Sequence, residues 1–330
     1  MAWKIASIYI AAVVGAGFAS GQELVQFFWR FGRGGVYGVV VATILLAFAG
    51  AMITCYCERN NTRSYLNVLK AISGNAAPYL DLLFTLFLLA GMAVMIAGSS
   101  AAWAFLFHNG LGKYITSLLV LVMLIQGPEK VLNLSAYIAT PLLVLMLAVA
   151  IQVIATGQLV MPQETITTGF LYGLLYAGYN LGFALAIFSG LGRVLPSNDQ
   201  GWWGGILGGI TLGALIVLIL LAFWSCRPEI SSHPIPMLLL AEQWSPLVAR
   251  GYGLTLWLAM YTTAVANGLS LVTRLQDLRG SWAMKSLGVI VIAFGLSFVG
   301  FVHLIKIAYP LFGYVGLYLM IQLFLWYRDT

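Results

Sequence analysis

The sequence predicts an all-α integral membrane protein with ten transmembrane helices, and three observations support this fold class. Of the 330 residues, 61% are hydrophobic and 8% are charged, whereas ordinary soluble domains are about one quarter charged. Apolar runs long enough to cross a bilayer, about 20 residues each, follow one another over nearly the whole chain. Charges, Pro and Gly separate these runs, as is typical of helix ends.

The apolar runs form two sets of five spans within one membrane domain, residues 1–330. The predicted spans are residues 4–31, 35–57, 78–107, 114–127 and 131–156, then 166–194, 201–225, 247–274, 284–304 and 307–327. The fourth span is short and ends at Gly127-Pro128-Glu129-Lys130. His303 and Lys306 are placed near the end of the ninth span. In the loop 226–246, an apolar stretch predicts a short helix over the outer side of the bundle, with a plain surface loop as the alternative.

The basic residues predict membrane topology rather than nucleic-acid binding. The 16 Lys and Arg are scattered singly between apolar segments and do not form a stripe. With the N-terminus inside, ten of the 16 fall on the cytoplasmic side, so the excess predicts that both termini are cytoplasmic.

The sequence predicts neither an enzyme nor a resident cofactor. The chain contains no His-Glu-x-x-His and no Gly-x-Ser-x-Gly motif. Its cysteines, Cys55, Cys57 and Cys226, have no metal-ligand spacing and are odd in number, so neither a zinc site nor a disulfide framework is predicted.

The first span contains an interruption, Val14-Gly15-Ala16-Gly17-Phe18-Ala19-Ser20-Gly21-Gln22-Glu23. Each Gly costs a helix about 1 kcal/mol relative to Ala, and a charge at bilayer depth costs at least a few kcal/mol unless it faces protein or water. The segment therefore predicts an unwound stretch whose backbone lines a polar cavity. The alternative is a tightly packed helix face with Glu23 at the water interface.

The sixth span contains a similar pattern, in which Asn180 lies between Gly178 and Gly182. This pattern predicts a second break. Two interrupted helices at corresponding positions of two halves, residues 1–157 and 162–330, indicate an inverted-repeat transporter whose binding site lies at the membrane midplane. Coincidence is the alternative, because Gly is common in membrane helices. A glycine ladder in the seventh span predicts close helix packing inside the protein; it comprises Gly201, Gly205, Gly209 and Gly213.

Three segments carry a resemblance to a known family: Val14 to Glu23, the pair Tyr179-Asn180, and Thr262-Thr263-Ala264 followed by Asn267. They resemble the YkvI family of bacterial membrane proteins, a branch of the amino acid–polyamine–organocation superfamily with the LeuT fold. The resemblance covers most of the chain. It implies a 5+5 inverted repeat with broken helices 1 and 6, working as a monomer in the bacterial cytoplasmic (inner) membrane on a small-molecule substrate.

The resemblance also implies where a substrate binds. In amino acid transporters of that superfamily, amides at a half-helix start take the substrate carboxylate, and Gly15-Ala16-Gly17 matches that position. The remaining predicted substrate-binding residues are Ser20, Gln22, Glu23, Ser99, Tyr179 and Asn180.

A sodium site is the next implication of the resemblance. In LeuT-like sodium symporters, backbone carbonyls and paired hydroxyls hold one sodium between the first and eighth helices. The matching groups are the carbonyls of Ala11, Val14 and Ala259 with the hydroxyls of Thr262 and Thr263. The alternative is that the two hydroxyls donate to carbonyls one turn back.

Glu23 departs from the pattern of sodium-coupled amino acid carriers. Its carboxylate could bind a substrate ammonium group or exchange a proton during transport. Three functions follow: sodium-coupled symport of an amino acid or similar zwitterion, proton-coupled transport of an amine or organic cation through Glu23, and solute reception without transport.

Overall fold

The structure is a computed structural model that describes residues 1–62, 64–126, 134–161, 167–192, 198–226, 230 and 233–328. Within these ranges, all regular secondary structure is helical. The predicted end of the fourth span, Gly127 to Lys130, lies outside them. Arg63, Arg193 and Arg227, which count in the predicted topology, also lie outside.

The helices follow the predicted spans. The first span comprises α1 (Ala2–Val13), α2 (Ala16–Ser20) and α3 (Gln22–Phe27). The remaining helices are α4 (Arg33–Arg59), α5 (Tyr65–Ser73), α6 (Ala77–Phe107), α7 (Gly112–Gln126), α8 (Leu134–Thr156), α9 (Gly169–Leu191), α10 (Asn198–Trp224), α11 (Pro236–Trp244), α12 (Pro246–Arg274), α13 (Trp282–Ser297) and α14 (Phe301–Arg328). Six segments of the described chain are long and apolar enough to cross a membrane, and four shorter apolar helices accompany them. The predicted all-α membrane class is confirmed.

The structure adds detail to the predicted spans in two loops and at one boundary between helices. The short helix expected in loop 226–246 is present as α11, whereas α5, in the loop between the second and third spans, was not predicted. The boundary between the ninth and tenth spans was predicted wrongly. The chain turns at Gly300, whose φ of +94° favours glycine, so His303 and Lys306 belong to α14. Hydropathy missed this turn because its neighbours are apolar.

The glycine ladder of the seventh span packs α10 against α4. A Cβ added at Gly205 would collide with the backbone of Ala51, and one at Gly209 with the backbone of Ala47. One turn away, the Thr54 hydroxyl donates to the Gly201 carbonyl at 2.9 Å. The predicted close helix packing is therefore confirmed.

The predicted break in the sixth span is wrong, because α9 runs without interruption from Gly169 to Leu191. The Asn180 side-chain amide donates to the Tyr176 carbonyl at 2.9 Å, within the helix. A Cβ at Gly178 would collide with the Gly313 carbonyl, and a Cβ at Gly316 with the Gly178 carbonyl. These glycines bring α9 and α14 into backbone contact; they do not interrupt α9.

Candidate solute-binding site

The first span is broken twice, which confirms the predicted interruption there. After α1 ends, Gly15 is extended with φ −97° and ψ −171°, and α2 begins at the next residue. Gly21 then adopts the left-handed region with φ +78°, and α3 follows it. Side chains with a Cβ are disfavoured there. Every residue of α2 and α3 is buried, so the interrupted backbone lies inside the bundle.

Glu23, in the first turn of α3, folds back over the break. One carboxylate oxygen, Oε2, accepts a hydrogen bond from the Tyr179 hydroxyl of α9. The other, Oε1, lies against Gly17, where an added Cβ would collide with it and would come within 3.5 Å of the Tyr309 hydroxyl. The carboxylate therefore joins the break to α9, and the Tyr309 hydroxyl of α14 lies close to the same glycine.

The Glu23 carboxylate is buried without a compensating charge. The residue is 5% exposed, and no cationic side chain among the described residues pairs with it. Transfer of an unpaired carboxylate from water into a protein interior costs several kcal/mol, which a cation or a proton can offset. The position is therefore suited to binding a positively charged group or a proton.

Aromatic rings cluster around Tyr179, the hydroxyl partner of this carboxylate. The Tyr179 ring stacks on Phe27 at a centroid distance of 5.4 Å and lies 5.0 Å from the Tyr309 ring. Phe87 packs against Tyr309 at 6.2 Å. The Tyr179 ring is thus packed against both Phe27 and Tyr309, which restrains its hydroxyl next to the Glu23 carboxylate.

Several buried polar atoms near the break have no hydrogen-bond partner within the described structure. They are the Asn180 Oδ1, the Tyr176 hydroxyl and both side-chain amide atoms of Gln22, all on fully buried residues. Nearly all buried polar atoms in proteins are hydrogen-bonded. The groups of Asn180, Tyr176 and Gln22 are thus available to a polar solute or to water. The Ser20 hydroxyl, in contrast, donates to the Gly17 carbonyl at 2.6 Å and accepts from the backbone N–H of Gln22 at 3.1 Å.

The structure brings only some of the predicted substrate-binding residues together. Gly17, Glu23 and Tyr179 are in direct contact, and Gly15 and Ala16 lie in the break itself. Ser99 instead donates to the Ile96 carbonyl of its own helix at 2.8 Å.

Three aromatic residues of the site were not predicted: Phe27, Tyr176 and Tyr309. Tyr176 precedes Asn180 by four residues, so helical spacing could have placed it on the same face. Phe27 and Tyr309 carried no such signal, because an aromatic residue in an apolar span is typical of packing.

The paired threonines adopt the alternative arrangement. The hydroxyls of Thr262 and Thr263 both donate to the Ala259 carbonyl, at 3.0 and 2.8 Å. Both lone pairs of this carbonyl are thereby used, so Ala259 is a poor further ligand for a cation. The two hydroxyl oxygens still carry lone pairs that could face a hard cation.

We expect Gly17→Ala to reduce solute uptake by about tenfold to a hundredfold. The new Cβ would displace the Glu23 carboxylate, and small misplacements of a binding group have effects of this order. Gly295→Ala, on α13, is the matched control, because its Cβ meets no atom within 4 Å. Initial uptake rates in proteoliposomes measure both variants. Equal losses would show that the contact between Gly17 and Glu23 is unimportant.

Comparison with curated proteins finds relatives over nearly the full length. The chain is 29% identical to the membrane protein YkvI of Bacillus subtilis (strain 168), over 95% of this chain and 92% of the relative. It is 24% identical to the protein YyaD of the same organism, over 99% and 96% of the two chains. No protein-family model matches the chain.

Solved structures share the fold at low sequence identity. MhsT in complex with L-phenylalanine superposes with a TM-score of 0.59 and 12% identity, over 96% of this chain and 87% of that one. Mhp1, a nucleobase-cation-symport-1 family transporter with bound bromovinylhydantoin, gives a TM-score of 0.50 and 15% identity, over 97% and 71%. At these identities, the similarity concerns the fold alone.

Proposed function

Because the chain is a YkvI-like membrane protein with the LeuT fold, we propose that it is a secondary active transporter that binds a small organic solute through a positively charged amino group. The observation that carries this proposal is Glu23, a buried carboxylate at a broken membrane helix with no cationic partner among the described residues.

The binding energetics favour a cationic solute. A cation that reaches Glu23 replaces an unpaired buried charge with an ion pair, and so removes most of the burial cost. If the solute is an amino acid, its carboxylate would lie at the amides of Ala16 and Gly17, where α2 begins. The unpartnered groups of Gln22, Tyr176 and Asn180 would then bind its remaining polar atoms. The bends at Gly15 and Gly21 are the points about which α2 and α3 could move during alternating access.

Two coupling ions are compatible with this chemistry. A proton on Glu23 is favoured by the missing cationic partner. Sodium between α1 and α12 depends on the hydroxyl oxygens of Thr262 and Thr263 and on the carbonyls of Ala11 and Val14. Because both hydroxyls donate to the Ala259 carbonyl, this predicted sodium ligand is less available, which weakens the case for sodium. We further propose a monomer in the bacterial inner membrane with both termini cytoplasmic.

Uptake into proteoliposomes tests the proposal. We expect a pure protein to accumulate at least one radiolabelled amino acid or amine when a sodium or a pH gradient is imposed. The N-acetylated form of the same solute is the matched control, because it lacks the positive charge. Equal uptake of both forms would rule out recognition of the amino group. Binding in detergent without any flux would instead indicate a receptor.

Two matched variants on α12 test the proposed sodium site. Thr263→Ala removes a predicted sodium ligand, whereas Thr255→Ala removes an exposed hydroxyl that donates to the Gly251 carbonyl at 2.8 Å. Loss of sodium-driven uptake in Thr263→Ala alone supports the sodium site. Uptake that is unchanged in Thr263→Ala and independent of sodium leaves the proton on Glu23 as the coupling ion.

A further inference from the structure

A small cavity beside Tyr179 lies between α6, α9 and α14. Its volume is about 10 Å³, close to the smallest space that holds one water molecule. Four aromatic residues line it: Phe84, Phe87, Tyr179 and Phe312. We call this set the aromatic corridor. Gly178 and Gly182 also line the cavity, and because they lack side chains, ring rotations alone could widen it.

A second carboxylate, Asp81, lies near the Phe84 ring of the aromatic corridor. The Phe84 ring contacts the Tyr65 ring of α5 at a centroid distance of 5.8 Å, and the Tyr65 hydroxyl donates to Asp81. The Asp81 side chain is 35% exposed, so it is accessible to water. Tyr179, which donates to Glu23, and Phe84, which contacts Tyr65, the partner of Asp81, therefore line the same cavity.

Asp81 is paired with a cationic side chain of the protein itself, Arg274. The Arg274 guanidinium pairs with the Asp81 carboxylate at 2.6 Å and lies 4.9 Å from the centre of the Tyr65 ring. It also donates to the Thr85 hydroxyl at 2.7 Å. A carboxylate and a tyrosine that donates to it thus recur at both ends of the corridor: Glu23 with Tyr179, and Asp81 with Tyr65.

We propose that Asp81 and Tyr65 form a second binding site for the amino group of the solute, on a route through the aromatic corridor, and that Arg274 holds this site until the solute displaces it. This inference rests on the proposed function. Exchange of one cation for another leaves the carboxylate paired throughout, so the exchange avoids the cost of an unpaired charge. Partly exposed ion pairs are weak enough for such displacement. The predicted topology puts this end of the bundle on the cytoplasmic side.

Cysteine accessibility in the full-length protein in liposomes tests the route. Val315 lines the cavity, so Val315→Cys reports on reagents that enter it. A methanethiosulfonate with a trimethylammonium group is compared with one that carries a sulfonate. We expect faster modification by the cationic reagent. The parent protein, which has Cys55, Cys57 and Cys226, gives the background rate, and Phe84→Cys serves if Val315→Cys does not fold.

Substitutions of Arg274 and Asp81 then test the role of each residue of the ion pair. Arg274→Gln is expected to raise the cationic modification rate about fivefold to tenfold, the order expected from loss of a partly exposed ion pair. Adding Asp81→Asn should remove the preference for the cationic reagent. Lys285→Gln is the matched control, because this partly exposed lysine bonds only the Gln276 carbonyl, at 3.0 Å, among the described residues. It should leave the rate unchanged.

The outcomes distinguish this inference from the proposed function. Equal rates for the two reagents in every variant, or no effect of Arg274→Gln, would overturn the second site, even if uptake of an amino solute still depends on Glu23. The expected labelling pattern in a protein that transports no amino solute would support the cation site at Asp81 and remove the transport proposal.

Discussion

Glu23→Gln is expected to lower uptake of an amino-bearing solute by about 100-fold or more. The amide keeps the size of the side chain but cannot form an ion pair, and loss of one partner of a buried pair costs about 3 to 5 kcal/mol. The protein itself should remain folded, because the substitution removes a buried charge that has no cationic partner among the described residues. Initial uptake rates and thermal unfolding in detergent measure the two effects.

The matched control for this variant is Glu242→Gln, which changes the same side chain at an exposed position on α11. It should leave uptake unchanged. If Glu23 carries the coupling proton, Glu23→Gln should abolish uptake driven by a pH gradient but spare exchange of solute across the membrane. Full gradient-driven uptake by Glu23→Gln would contradict both roles of the carboxylate.

Gly178→Ala is expected to lower the free energy of unfolding by about 3 kcal/mol or more. Its Cβ would collide with the Gly313 carbonyl and would lie 3.0 Å from the Leu317 amide. Both are backbone atoms that cannot turn away, so α9 and α14 must separate. Overpacking typically costs about 1 to 3 kcal/mol even where side chains can adjust. The melting temperature in detergent and the yield of folded protein check this expectation.

Gly190→Ala is the matched control for Gly178→Ala. It lies in the same helix, and its Cβ meets no atom within 4 Å. Because Ala favours a helix over Gly by about 1 kcal/mol, this variant should be as stable as the parent or slightly more so. If Gly178→Ala also raised the melting temperature, α9 and α14 would not be in the contact described above.

The sequence by itself determined the membrane class, most of the spans and the break in the first helix. Gly15, Gly17 and Gly21 with Glu23 make a continuous helix costly through local terms alone, namely glycine propensity and the burial of a charge. The left-handed conformation at Gly21 is a local property of the same kind. These local energies depend only on neighbouring residues in the sequence, so the first break could be predicted.

Only the tertiary structure decided what the second glycine cluster does and which residues meet Glu23. From sequence alone, Gly178 is compatible with a helix break or with close packing between two helices. In the structure it packs against Gly313 and Gly316 of α14, so its role is close packing. Tyr179, 156 residues from Glu23 in sequence, donates to its carboxylate, and Tyr309 packs against the Tyr179 ring because α9 and α14 lie in close contact. Contacts of this kind depend on the rotation of each helix about its axis, and that rotation is fixed by packing between helices rather than by the composition of any one of them.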